Sequence, residues 1–184
     1  MIYVFLADGF EEVEALTPVD MMRRAGLKVV TVGVGRQIIR GSHGIFVTTD
    51  IDDKDLVLDD SIDMIFLPGG MPGTLNLEKS DYVQKSIDYC VNNDKYIAAI
   101  CAAPSILGHR GLLNGKNAVC YPGFEDELKG ALVLKDAVCI DEKIITSRGA
   151  GTAMKLSFEI VKLLVSEENA NELKASIIYN EWYK

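Results

Sequence analysis

Apolar residues fall into two alternating patterns along this chain. Short unbroken runs, "IYVFLA" (2–7), "LKVVTVGV" (27–34), the "MIFL" of "DMIFLPGG" (63–70) and "YIAAI" (96–100), read as strands covered on both faces. Between them lie segments of helical spacing. "VEALTPVDMMRRAG" places Val13, Leu16, Val19 and Met21 or Met22 on one side and stops at Gly26. "SDYVQKSIDYCVNND" predicts a helix with Ser80 as N-cap and Val83, Ile87 and Cys90 or Val91 inward. Pro104 suits the first turn of a helix, where its missing N–H costs nothing.

The remaining stretches are shorter. Residues 37–50 predict two small strands around Gly41 and Gly44. "NAVCYPGFEDEL" gives a short strand, a turn and a short helix, and "AVCIDEKIITSRG" two strands around Asp141 and Glu142. Gly149 opens the long helix "AGTAMKLSFEIVKLLV". The tail from Ser166 holds another helical piece, then "SIIYNEWYK", expected to pack back on the domain or on a partner.

A strand, a helix and a further strand in succession make a βαβ unit, which demands a parallel sheet. The expected fold is a single α/β domain over residues 1–184, a three-layer sandwich with a mostly parallel central sheet. In such folds ligands bind beyond the carboxyl ends of the strands. Ala7 running into "DGFEEVE", Leu67 into "PGGMPG" and Ile100 into "CAAP" are therefore expected on one edge.

Composition narrows the function classes. Hydrophobic residues make up 48% and charged residues 25%, enough for a packed core. Lys plus Arg is 19 against 27 Asp plus Glu, a net charge of −8, with no basic cluster to bind nucleic acid or an anionic membrane. The first apolar run is short, lacks a basic segment before it and is followed by acids, so it reads as a strand and not a signal peptide. No run reaches the roughly 18–20 apolar residues of a membrane span. A cytoplasmic location is the expectation.

The candidate chemistry sits at the three strand ends. Cys101 lies where a buried strand turns into a helix, an arrangement that exposes the turn residue and aims helix N–H groups at it. That geometry is expected to lower a thiol pKa. "LPGGMPG" offers backbone N–H groups with no side chains in the way, so Gly70 and Ala102 are candidates to hold an oxyanion; the same residues also fit a plain tight turn. Glu14 lies near the border of its helix's apolar face, where burial would raise its pKa and leave a proton donor beside the thiol. The same spacing also fits a solvated helix acid. Cys90 and Cys139 read as structural; the four cysteines form no CxxC pair and only His43 and His109 are further soft ligands, so no metal site is expected. Neither histidine carries a local signature of a Cys–His dyad. His109 in "LGHRG" suits a helix end for structural reasons alone.

"ADGFEEVEALTPVDMMRRAG", "LPGGMPG", "AAICAAP" and "TSRGAGTA", in that order and spacing, resemble the ThiJ/PfpI superfamily, in particular the branch of the parkinsonism-associated deglycase and its bacterial relatives. The resemblance runs from Ile2 to about Leu173. It implies a flavodoxin-like fold and a homodimer. It implies a reactive cysteine at Cys101, a carboxylic acid partner at Glu14 and oxyanion-binding backbone at Gly70 and Ala102. Three departures are visible. Ala102 stands where the protease-like branch carries a histidine. Tyr121 stands where the parkinsonism-associated protein has one, and a phenol is a weaker proton shuttle near neutral pH. His43 replaces an arginine that approaches the site in that branch, which makes His43 of one subunit a candidate to face Cys101 of the other. Tyr121 and His43 are thus auxiliary candidates.

The resemblance implies a cofactor-free glyoxalase or deglycase acting on a small aldehyde or dicarbonyl. The same cysteine also fits a redox sensor or chaperone-like stress protein. A cysteine hydrolase or amidase is the third reading, weakened by Ala102.

Overall fold

The computed structural model describes residues 1–179. Its strands are β1 (Ile2–Leu6), β2 (Val29–Gly33), β3 (Ile38–Arg40), β4 (Phe46–Thr48), β5 (Ile51–Asp52), β6 (Met64–Leu67), β7 (Tyr96–Ile100), β8 (Asn117–Ala118), β9 (Leu132–Val133), β10 (Val138–Asp141) and β11 (Ile144–Ser147). Its helices are α1 (Glu12–Arg24), α2 (Gly73–Lys79), α3 (Asp81–Asn92), α4 (Pro104–His109), α5 (Ala153–Leu164) and α6 (Glu167–Ser176).

Seven strands form the main sheet in the order β10-β11-β7-β6-β1-β2-β5. Every neighbouring pair is parallel except β10 with β11. The apolar runs are unbroken because both faces are covered. Along β1, Ile2, Val4 and Leu6 join the core under α1, α5 and α6, while Tyr3, Phe5 and Ala7 join the core under α2, α3 and α4. β7 divides likewise, with Ala98 and Ile100 on the first face and Ile97 and Ala99 on the second. This is the expected α/β sandwich of flavodoxin type.

Most predicted elements are present, including the β3–β4 hairpin, the Ser80 cap of α3 and Pro104 at the start of α4. The stretch after Gly149 first makes a 3-10 turn, Ala150–Thr152, before α5. Tyr179 packs edge-on against Phe158 at 4.7 Å between ring centroids, while the "NEWYK" part of the tail (180–184) lies outside the described residues.

The buried face of α1 departs from expectation. Val13 is 49% exposed and Leu16 only half-buried, whereas Glu12 and Glu14 are buried. The inward side is Glu12, Ala15, Val19 and Met22, flanked by Glu14, Pro18 and Met21. Two carboxylates replace apolar side chains there because backbone N–H groups from distant segments meet them.

No helix among the described residues is long and apolar enough to cross a membrane.

Candidate functional site

The strand order places β7, β6 and β1 side by side and in parallel, so Ile100, Leu67 and Ala7 end on one edge, as expected. A fourth end joins them. β11 runs parallel to β7 with Ser147 opposite Ile100, and it delivers Arg148, Gly149 and Ala150 to the same edge.

Cys101 follows β7 directly and has φ +66°, a left-handed conformation for a residue with a side chain. Such a conformation costs on the order of 1–3 kcal/mol and persists only when its surroundings hold it. Two hydrogen bonds do so: Cys101 N–H donates to the Ser147 carbonyl at 2.9 Å, and Tyr121 N–H donates to the Cys101 carbonyl at 2.8 Å. The turn leaves Cys101 partly exposed, while Cys90, Cys120 and Cys139 are buried.

Glu14 comes from the first turn of α1, only 2% exposed. Glu11 caps this helix by accepting from Glu14 N–H at 2.6 Å, which fixes the carboxylate's starting point. The carboxylate then reaches the "PGG" loop, where Glu14 Oε2 accepts from Gly69 N–H at 3.1 Å. Ala150 N–H and the Cys101 thiol are its other hydrogen-bonding partners. Gly69 is what allows this approach, since an added Cβ would lie 2.5 Å from both Cys101 Cβ and Glu14 Oε2.

The electrostatics of the pair follow. Burial raises the Glu14 carboxyl from 4.5 to about 7, against the hydrogen bonds from Cys101, Gly69 and Ala150, with nearby Glu11 adding to the rise. Burial also pushes the Cys101 thiol up to about 12, helped by the Glu14 charge, while the N–H groups of Ala102 and Gly70 pull it down. The expected lowering of the thiol is therefore corrected: one N–H donor before a short helix and one from the loop after β6 do not outweigh desolvation beside a carboxylate. The two groups titrate as a unit. The first proton leaves near 7 and the second near 12. Between those values the remaining proton rests mainly on sulfur, and thiolate beside neutral acid is the minor form. The Gly70 and Ala102 N–H groups favour that minor form.

Tyr121 borders this pair. Its ring and Glu14 Oε1 both face Gly149, 3.3 Å and 3.7 Å from where a Cβ on Gly149 would lie. It is half exposed, a rim over the carboxylate. His43 is engaged elsewhere. Its backbone N–H and Nδ1 each lie 2.8 Å from an oxygen of Glu12, which also meets Ser42 Oγ at 3.2 Å and Ile45 N–H at 3.4 Å. The Glu12 hydrogen bond raises the His43 pKa. Glu11, Glu12 and His43 do bring one ligand atom each within 4.8 Å of one another. Glu11 is already the helix cap and Glu12 already braces the loop at residues 42–45, so these acids serve local structure.

The structure thus brings together Cys101, Glu14, Gly70, Ala102 and Tyr121 and holds His43 on the hairpin side of α1. Gly69, Ser147 and Ala150 were not singled out from the sequence. The "TSRGAGTA" stretch was the available signal for the last two, and its position after a strand parallel to β7 is what gives it meaning.

The sequence and the fold both have known relatives. A family model described as "DJ-1/PfpI family" matches residues 1–163. "Protein DJ-1 homolog B" of Arabidopsis thaliana is 37% identical over 176 residues, which is 94% of this chain but 40% of that protein, so the chain spans well under half the length of that relative. "Glutathione-independent glyoxalase DJR-1.2" of Caenorhabditis elegans is 31% identical over 165 residues, 89% of this chain and 87% of that one. Among solved structures, "Toxoplasma gondii DJ-1, oxidized" superposes with a TM-score of 0.92 at 34% identity, covering 98% of each chain.

Proposed function

From the premise that the chain belongs to the DJ-1/PfpI family, we propose that it is a cofactor-independent enzyme of the glyoxalase or deglycase type, acting on small reactive dicarbonyls or their adducts through Cys101. The observation that carries this reading is the close approach of the buried Glu14 carboxyl and Cys101 across Gly69, where an added Cβ would lie 2.5 Å from both. The similarity to a glyoxalase named as glutathione-independent supports it.

With methylglyoxal the steps balance as follows. The thiolate of Cys101 attacks the aldehyde carbon, and the resulting oxyanion, held by Gly70 and Ala102 N–H, takes a proton to give a hemithioacetal. Glu14, now a carboxylate, removes the proton from the former aldehyde carbon, giving an enediolate, and returns it to the neighbouring carbon as the hydroxyl proton passes from the first oxygen to the second. The product is a thioester of lactate on Cys101. Water hydrolyses it, releasing lactate and restoring the thiol. Tyr121 borders the same carboxylate and supplies a phenol at the rim. The test is formation of lactate from methylglyoxal in the absence of glutathione. Loss of that product in Cys101→Ser supports the reading, and lactate no greater than in the variant sinks it.

A second reading rests on exposure. Cys101 is the one thiol of four that is not buried, with the Glu14 acid and two N–H donors around it. That setting favours selective oxidation and suits a redox sensor or chaperone-like stress protein using the same residue.

A homodimer belongs to the same proposal. Ile38, Ile45 and Phe46 on the β3–β4 hairpin and Val13 on the adjoining turn of α1 are exposed apolar side chains, suited to cover one another between two copies. His43 sits among them, and the partner's Cys101 is its proposed neighbour. A cytoplasmic setting, where thiols stay reduced, fits this chemistry.

A further inference from the structure

His109 takes no part in the chemistry above, yet it joins three elements. It ends α4, and its ring lies between carboxylates from two others. Nδ1 is 2.5 Å from Oε1 of Glu78 on α2, and Nε2 is 2.8 Å from Oε2 of Glu127 on the 3-10 turn Glu125–Glu127. Using both ring nitrogens as donors requires the imidazolium, because a neutral ring carries one N–H and turns a lone pair toward the other carboxylate. The hydrogen bonds to Glu78 and Glu127 raise the ring's pKa above its ordinary 6.5, so the doubly bonded form persists toward neutral pH.

The surroundings make this a junction. An added Cβ on Gly108 would lie 2.1 Å from the Glu127 carbonyl oxygen, so α4 docks directly on the backbone of the 3-10 turn. Arg110 donates to the Gln84 carbonyl and side chain on α3 and pairs with Asp88, while Gln84 Nε2 donates to the Glu78 carbonyl. The charged groups at the junction are therefore Glu78 from α2, Glu127 from the 3-10 turn, Asp88 from α3 and Arg110 just beyond α4. The first two contact the imidazole.

Each element joined by His109 leaves directly from a segment of the candidate site. α2 starts three residues after Gly70, α4 three residues after Cys101, and the 3-10 turn four residues after Tyr121. These elements are seven, six and three residues long, too short to fix one another by their own helical bonds. We propose that His109 is a positioning residue: by linking Glu78 to Glu127 it registers Gly70, Cys101 and Tyr121 against one another, and it releases that registration when the imidazolium loses its proton. What the registration serves rests on the site reading given above.

The experiment measures the rate of Cys101 alkylation by iodoacetamide, followed on the Cys101 peptide by mass spectrometry, from about pH 5.5 to about pH 9, the range that brackets a histidine titration. Wild type, His109→Gln, His109→Lys and Glu127→Gln are compared, with lactate formation measured in parallel. At the low end His109→Gln alkylates roughly three- to tenfold more slowly than wild type, and the two converge as wild type loses its imidazolium. His109→Lys keeps a cation between the carboxylates, so it stays within about twofold of wild type at low pH and exceeds it at high pH. Glu127→Gln follows His109→Gln. A ratio of His109→Gln to wild type that is one throughout, or constant with pH, overturns the proposal. If that variant does not fold, a constant ratio of His109→Lys to wild type does the same. Absence of lactate from wild type would sink the enzymatic reading alone, since alkylation still decides the role of His109.

Discussion

Gly69 N–H donates to Glu14 Oε2 at 3.1 Å, and this bond ties a helix acid to the loop that faces the cysteine. The donor has no side chain, so the carboxylate and Cys101 approach each other across it. The proton economy of the site follows from that contact.

Substituting Gly69 tests the contact directly. A Cβ placed 2.5 Å from both Cys101 Cβ and Glu14 Oε2 must push the two apart. In Gly69→Ala, glyoxalase turnover is expected to fall on the order of a hundredfold, the usual cost of misplacing a reacting group by about 1 Å. Activity within a few-fold of wild type would show that the pair does not act across this glycine.

Reactivity should follow the first proton lost by the pair. Because Glu14 titrates at about 7, alkylation of Cys101 rises with pH through that value. The rise is about tenfold over the two pH units centred there. In Glu14→Gln the inflection disappears, since no carboxylate remains to take the thiol proton. A wild-type profile without a rise near neutrality would refute the coupled titration of the pair.

Stability carries the same signature. The folded-state pKa of Glu14 is raised from 4.5 to about 7, so the folded chain binds this proton more tightly than the unfolded one. Its stabilising effect is complete below 4.5 and is lost as pH rises through 7, a loss of about 3 kcal/mol at most. Glu14→Gln should therefore gain thermal midpoint relative to wild type at about pH 8 and lose that advantage at about pH 4, below the carboxylate's unfolded pKa. A difference in midpoint that does not change with pH would contradict the assigned titration.

Oxidation should be selective. Under mild peroxide, peptide mapping is expected to place added oxygen on Cys101 well before the buried Cys90, Cys120 and Cys139. Equal labelling of all four would remove the redox-sensor reading.

The hairpin surface yields a test of assembly. Phe46 is 65% exposed beside Ile38 and Ile45, and Phe46→Asp places a charge in the proposed contact between copies. Sedimentation or light scattering should shift from dimer to monomer. A wild-type chain that is monomeric at all accessible concentrations would refute the contact.

The pattern of residues determined a good deal by itself. Unbroken apolar runs marked β1, β6 and β7 because a strand covered on both faces has no polar alternation to hide. A cysteine at the end of such a run, before Pro104, marked the turn. Only the tertiary structure decided which face of α1 is buried, where Val13 is exposed and Glu12 and Glu14 lie inside. A carboxylate can be buried when donors meet it, and the donors to Glu14 come from Gly69 and Ala150, far away in the chain. The direction of the thiol's pKa was settled the same way, by the burial and the acid that folding places around Cys101. Local periodicity registers which side chains are apolar, and it carries no record of which distant N–H groups will arrive to satisfy a charge.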